Sequence, residues 1–270
     1  MRVTGIPARQ QISCPDRRSR DWGYPAHICS YRGIDTEDAA GRQAVRPNGG
    51  HMTFSIAGRC PRTGMLGAVV TTSSISVGSR CAWAEANVGA VLTQHRTDPR
   101  LGPKILERLK HGSSPDSIIH DLEKTDPDLR WRQLAVIAAD GRGAVFNGAK
   151  ITSIVKATVG RDCAAVGNIL RNTGVVDAMI STFEENENQS LPERLMRAIE
   201  AGQAAGGELK QLKSAALLVV HRESFPFVDL RVDLSPQPLV ELRFLWELYE
   251  PAADNYVVRA VEPDKAPGAG

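Results

Sequence analysis

TFSIAGRCPRTGMLGAVVTT, residues 53–72, is the stretch whose reading decides the fold. Thr53–Cys60 alternates apolar and polar positions, Pro61-Arg62-Thr63-Gly64 has hairpin-turn chemistry, and Met65–Thr72 is a second run of matching length. The chain before it is different in kind. Residues 1–51 are rich in Arg, Asp, Gly and Pro, follow neither the strand nor the helix period, and include the turn-like pieces PDRRSRDWGYP and RPNGG. The break divides the chain into a non-core N-terminal extension, 1–51, a folded domain, 52–250, and a polar tail, 251–270. The extension reads either as a disordered or weakly structured arm or as untranslated sequence, and Met52 is the favoured translation start, since codons for Gly49 and Gly50 can supply a purine-rich ribosome-binding sequence just upstream.

Outward from the hairpin, the polar stretch SSISVGSRCAWAEAN leads to a buried-looking strand, VGAVLTQ, Val88–Gln94. Two helices follow. DPRLGPKILERLKHG places Leu101, Ile105, Leu106 and Leu109 on one face, and SSPDSIIHDLEKTD offers Ser114 as N-cap and Pro115 in the first turn. RQLAVIAADGRGAVFNG then reads as two strands joined at Asp140-Gly141, followed by the strands ITSIVKATVG and DCAAVGNIL. A second helical pair, GVVDAMISTFEENEN and LPERLMRAIEAGQAAGG, stops at Gly206-Gly207, and the strands SAALLVVHR and FPFVDLRVD precede a short helix, PLVELRFLWELYE. Strands come in groups joined by hairpins, with helices between the groups. That order predicts an α+β fold of antiparallel sheets with helices packed outside them, not a doubly wound nucleotide-binding fold.

The bulk properties exclude several classes. Thirty-three Lys and Arg against 31 Asp and Glu leave no excess that calls for nucleic acid or an anionic membrane, so a small molecule is the default partner. Cys14, Cys29, Cys60, Cys81 and Cys163 have no CxxC spacing and no histidine at metal-ligand distance, so neither disulfides nor a metal is expected, and no cofactor motif is present. The first thirty residues hold no apolar signal-peptide core, and the longest apolar stretch, Ala215–Val220, is too short to span a bilayer. The cytoplasm is the simplest compartment.

No Walker loop, GxGxxG, HExxH or GxSxG is present. Of six histidines, only His95, after VLTQ, is placed to serve a site. Asp98 and Pro99 read as the start of a helix. In AVGNIL, a Gly-Asn pair closing an apolar strand puts the Asn168 amide at a sheet end, suited either to donating to an oxyanion or to supporting a turn. Cys81 beside Arg80 is a minor nucleophile candidate. Thr53 is the sharper one. With translation from Met52 and loss of the initiator methionine, Thr53 carries a free α-amine whose reference pKa is about 8, and that amine can activate the hydroxyl of its own residue.

In order and spacing, MTFSIAGRCPRTGMLGAVV, VGAVLTQHRTDPRLGPKILERLKHG, RQLAVIAADGRGAVFNG, AVGNIL, AIEAGQAAGG, SAALLVV and FVDLRVD resemble the bacterial and archaeal family known as domain of unknown function 1028. The resemblance runs from Met52 to about Glu250. It implies membership of the N-terminal nucleophile hydrolases, with a four-layer αββα sandwich of two antiparallel sheets flanked by helices. Members typically begin Met-Thr-Phe-Ser, which maps onto Met52–Ser55 and makes Thr53 the nucleophile. The implied reaction is hydrolysis of an amide C–N bond in a small molecule, with Asn168 and a backbone NH near Gly167 holding the oxyanion. Ser73 and Ser74 are expected to line the pocket, and Gln94, His95, Asp229 and Arg231 to orient the substrate. Asp229 and Arg231 have an alternative reading as an ion pair that holds the fold. Paired sandwiches in the superfamily make a homo-oligomer reasonable. The competing reading is a non-catalytic binding or scaffolding protein that keeps the fold without the chemistry.

Overall fold

The computed structural model describes residues 53–268; the N-terminal extension and the expected start at Met52 lie outside the described residues. The described residues contain ten strands in two sheets, and every pairing is antiparallel. The first sheet holds β1 (Thr53–Arg59), β2 (Leu66–Thr72), β7 (Val155–Gly160), β8 (Cys163–Asn168), β9 (Ser214–Val220) and β10 (Val228–Val232), in the order β10-β9-β2-β1-β8-β7. The second holds β3 (Ala82–Glu85), β4 (Gly89–His95), β5 (Arg132–Ala138) and β6 (Gly143–Asn147) in sequence order. β1 and β2 form the expected hairpin, with Gly64 at φ +76° in its turn.

Helices α1 (Leu101–Lys110) and α2 (Pro115–Thr125) follow β4; α3 (Gly174–Glu185) and α4 (Leu191–Ala204) follow β8; α5 (Pro238–Tyr249) and α6 (Ala253–Val261) follow β10. The start of α2 obeys its sequence signal, and α4 begins with the same capping chemistry at a serine that the sequence reading did not single out. Ser114 Oγ accepts from the Ser117 amide and Ser190 Oγ from the Glu193 amide, each with a proline in the first turn. At α1 the expectation is corrected. Its N-cap is Arg100, without a side-chain cap, while Asp98 accepts the Arg100 amide at 3.1 Å and its guanidinium at 2.7 and 2.9 Å, a turn placed ahead of the helix. Two further differences concern what reads as polar. AWAE of the polar 73–87 stretch forms β3, because Ala82 faces the buried layer between the sheets; residues 253–261 of the tail form α6, because Ala253 and Val257 pack on the core.

Strand alternation sorts the apolar side chains into three layers. Phe54, Ile56, Val69 and Ala165 of the first sheet pack against Met179 and Phe183 of α3, Leu195 and Ile199 of α4, and Leu242 and Trp246 of α5. Their strand neighbours Ala57, Ala68, Val70, Ala164 and Val166 meet Ala90, Leu92, Ala135 and Ile137 of the second sheet. Val91, Leu134 and Val136 on the far side of that sheet cover Ile105 and Leu109 of α1 and Ile118 and Leu122 of α2. Each large side chain buried in this way contributes about 2 kcal/mol.

Candidate active site at the end of the intersheet layer

Along the strands the intersheet face is apolar until one end, where it turns polar on β1, β2 and β8 of the first sheet and on β4 and β5 of the second. Thr53 and Ser55 continue the Ala57 face of β1, Thr72 continues Val70 on β2, and Asn168 continues Val166 on β8. From the second sheet Gln94 continues Leu92, and Gln133 precedes Ala135. All six of these polar side chains are buried. Buried polar groups are retained only where they find partners, so their hydrogen bonds define the site.

Thr53 is the first residue of β1 and stands in register with Thr72 on one side and Asn168 on the other. It is 5% exposed. Its Oγ1 lies 3.1 Å from Thr72 Oγ1, which lies 3.5 Å from Ser74 Oγ, and Ser74 Oγ accepts from Arg80 Nη2 at 2.5 Å. A file of hydroxyls thus runs from Thr53 to a guanidinium.

Two glutamines join the sheets below that file. Gln94 Nε2 donates to the Thr53 carbonyl at 3.2 Å and to Gln133 Oε1 at 2.6 Å, while its Oε1 accepts from Ser55 Oγ at 2.7 Å. Gln133 Oε1 also accepts from Asn168 Nδ2 at 3.0 Å, and its Nε2 faces Asn147 Oδ1 and the carbonyls of Lys156 and Gly167. With acceptors around one end and donors at the other, the Gln133 amide has a single workable orientation, and it fixes that of Asn168. Asn168 retains one uncommitted N–H, and its buried Oδ1 has no partner among the described residues. Gly167 lies within the ladder, paired with Phe54 and Lys156. In a central strand such an amide is spent on a neighbouring strand, so the expected backbone donor there is not on offer.

Sequence reasoning missed Gln133 of this cluster and, outside it, the buried carboxyl of Glu208 beside Ser73. Gln133 is hidden because a glutamine near the start of an apolar strand looks like a solvated end, and its role depends on a second sheet. Glu208 is hidden because its neighbours in space are remote in sequence. It is 5% exposed, neither carboxyl oxygen completes a hydrogen bond among the described residues, and burial raises its pKa to about 9 against the smaller downward pull of the Ser73 hydroxyl and amide and of Lys210. The only local signal is a carboxylate set directly after a double-glycine helix stop.

The other expected site residues divide. Ser73 and Ser74 are buried at the end of β2, beside Glu208 and Arg80 respectively. His95 adopts φ +70° and its Nδ1 lies 2.8 Å from the Trp131 carbonyl, away from the cluster, because alternation sends it to the face opposite Gln94. Asp229 and Arg231 lie on the edge strand β10, with β9 and β2 between them and β1. They form a two-pronged ion pair at 2.8 and 2.9 Å with side chains 36 and 43% exposed. Cys81 is buried, and burial raises its pKa despite Arg80 and Thr97, so the thiolate needed for attack is disfavoured. Among the described residues no group of three His, Cys, Asp or Glu side chains is placed to hold a metal, and no helix is long and apolar enough to cross a membrane.

The protein is therefore a mixed α+β chain of two antiparallel sheets with helices against them and a polar cluster buried at one end between the sheets. It belongs to the family of unknown function DUF1028, whose pattern matches residues 53–242. The chain is similar to the crystal structure of protein SPO2555 from Silicibacter pomeroyi, of the same family, at 30% identity and a TM-score of 0.68 over 73% of this chain and 89% of that one. No curated protein matches it.

Proposed function

We propose that the protein hydrolyses amide C–N bonds in a small molecule, with Thr53 as an N-terminal nucleophile. The observation that carries this reading is the position of Thr53 as first residue of a central strand, between Thr72 and Asn168. Its hydroxyl attacks the carboxamide carbon while its α-amine takes the hydroxyl proton and passes it to the departing nitrogen; water then hydrolyses the acyl-enzyme. The uncommitted N–H of Asn168 is the donor to the oxyanion. Gln94, by holding the Thr53 carbonyl, restrains the rotation that would carry hydroxyl and amine out of line. The three packed clusters are compatible with the four-layer αββα sandwich of the N-terminal nucleophile hydrolases, in which such an amine serves as base.

The test compares the parent and Thr53→Ala in chains expressed from Met52, on a panel of linear and cyclic amides and with an electrophilic hydroxyl trap. Turnover and a Thr53 adduct in the parent alone support the reading. Equal behaviour of the two proteins favours a binding or scaffolding protein.

A further inference from the structure

Glu208 reaches its place through the end of α4. Gly206 and Gly207, at φ +135° and +55°, turn the chain out of the helix, and the Gly207 amide bonds back to the Gly202 carbonyl. The turn is laced to the chain after β8: the Arg171 amide donates to the Gly207 carbonyl, Asn172 Nδ2 donates to the Ala205 carbonyl, and Glu208 bridges to Leu170. On the other side Glu208 meets Ser73, just past the end of β2, and the Lys213 amide donates to the Thr72 carbonyl. β1 lies between β2 and β8, and Thr53 stands opposite Thr72 and Asn168. Residues 205–213 therefore cross the end of the sheet from which the Thr53 nitrogen emerges.

A buried carboxyl with two unsatisfied oxygens costs stability, and the loop that carries it is held at both sides. Arg171 and Lys210, with Gln203 and Gln211, line a cavity of about 380 Å³ on the same loop, yet neither cation pairs with Glu208. We infer that Glu208 is the partner of the free Thr53 α-amine, a positioning residue that holds the amine toward the Thr53 hydroxyl. The inference rests on the nucleophile reading above. Where no amine is present, the carboxyl keeps its proton. When the amine is freed, the proton passes from the carboxyl oxygen to the amine nitrogen, leaving carboxylate and ammonium paired with no change in total charge. Pairing offsets part of the cost of burying either charge alone. It also raises the amine pKa above its reference value of about 8, since an adjacent carboxylate favours the ammonium form, and the ammonium returns its proton to the Glu208 carboxylate before the amine nitrogen accepts the proton of the Thr53 hydroxyl.

The experiment uses the chain expressed from Met52, its Thr53 N-terminus verified by mass spectrometry, as parent, Glu208→Gln and Glu208→Asp. Competitive acetylation across pH 6–10 reads the α-amine titration from the N-terminal peptide, independently of turnover. The expected result is a midpoint at least one pH unit lower in Glu208→Gln than in the parent, with Glu208→Asp between them. If Glu208→Gln does not fold, the same comparison is read from Glu208→Asp, where a downward shift is again expected. A free Thr53 amine that titrates alike in parent and variant overturns the pairing and leaves the nucleophile reading standing. A chain in which Thr53 never becomes the N-terminus overturns both.

Discussion

Gln94 on the second sheet donates from Nε2 to the carbonyl of Thr53 on the first, at 3.2 Å, and the same nitrogen donates to Gln133 at 2.6 Å. Through this amide the backbone of the first residue of β1 is fixed by the sheet facing it. Gln94 therefore serves the site from the backbone side of Thr53.

Replacing Thr53 by Ser keeps a hydroxyl and an amine on one residue, whereas Thr53→Ala removes the hydroxyl. Amide turnover is expected to fall by about a thousandfold or more in Thr53→Ala and to persist in Thr53→Ser. Values of kcat/KM, with intact mass after the hydroxyl trap, check it; turnover surviving in Thr53→Ala sinks the assignment.

Gln133→Leu removes the acceptor for Gln94 and Asn168 and the donor to Asn147, Lys156 and Gly167 in one step. Stranding several buried polar groups is expected to cost about 3–5 kcal/mol, measured by urea unfolding. Among molecules that remain folded, kcat is expected to fall more than KM changes, because Asn168 loses its orientation.

Glu208 titrates near 9 in the folded chain and near the ordinary carboxyl value when unfolded. Between those values the folded state keeps a proton that the unfolded state has lost, so the contribution of this group to stability is fully present below about pH 4.5 and is lost as pH rises through neutrality toward 9. From about pH 4.5 to 7 the loss from this group is on the order of 3 kcal/mol in a chain that lacks the free Thr53 amine. Glu208→Gln in the full-length chain is expected to flatten this slope and to be the more stable protein at pH 7, as read from urea midpoints across pH. A parallel slope in the variant counts against the buried titration.

Asp229→Asn and Arg231→Ala break an exposed pair on the edge strand. Each is expected to change stability by less than about 1 kcal/mol and to leave amide turnover at the parent value. A large loss of kcat/KM in either would return the pair to the substrate site.

Much of the fold is legible in local sequence because alternation and turn chemistry are local. Thr53–Thr72 reads as a hairpin, Asp140-Gly141 as another, Ser114 marks a helix start, and Gly206-Gly207 marks a stop. Where local signals are weak, context decides. AWAE becomes a strand because its face is covered by the other sheet, and residues 253–261 become a helix because a few apolar side chains reach the core. Thr53, Asn168 and Gln94 stand out in the sequence by type and by strand end. Gln133 and Glu208 do not, since one acts across the gap between the sheets and the other across 135 residues, from Ser73 to Glu208. By itself the sequence determined which segments alternate, where they turn and which residue heads β1. Only the tertiary structure decided which polar ends are buried together, because hydrogen-bond partners and loss of water depend on distances that chain spacing does not set.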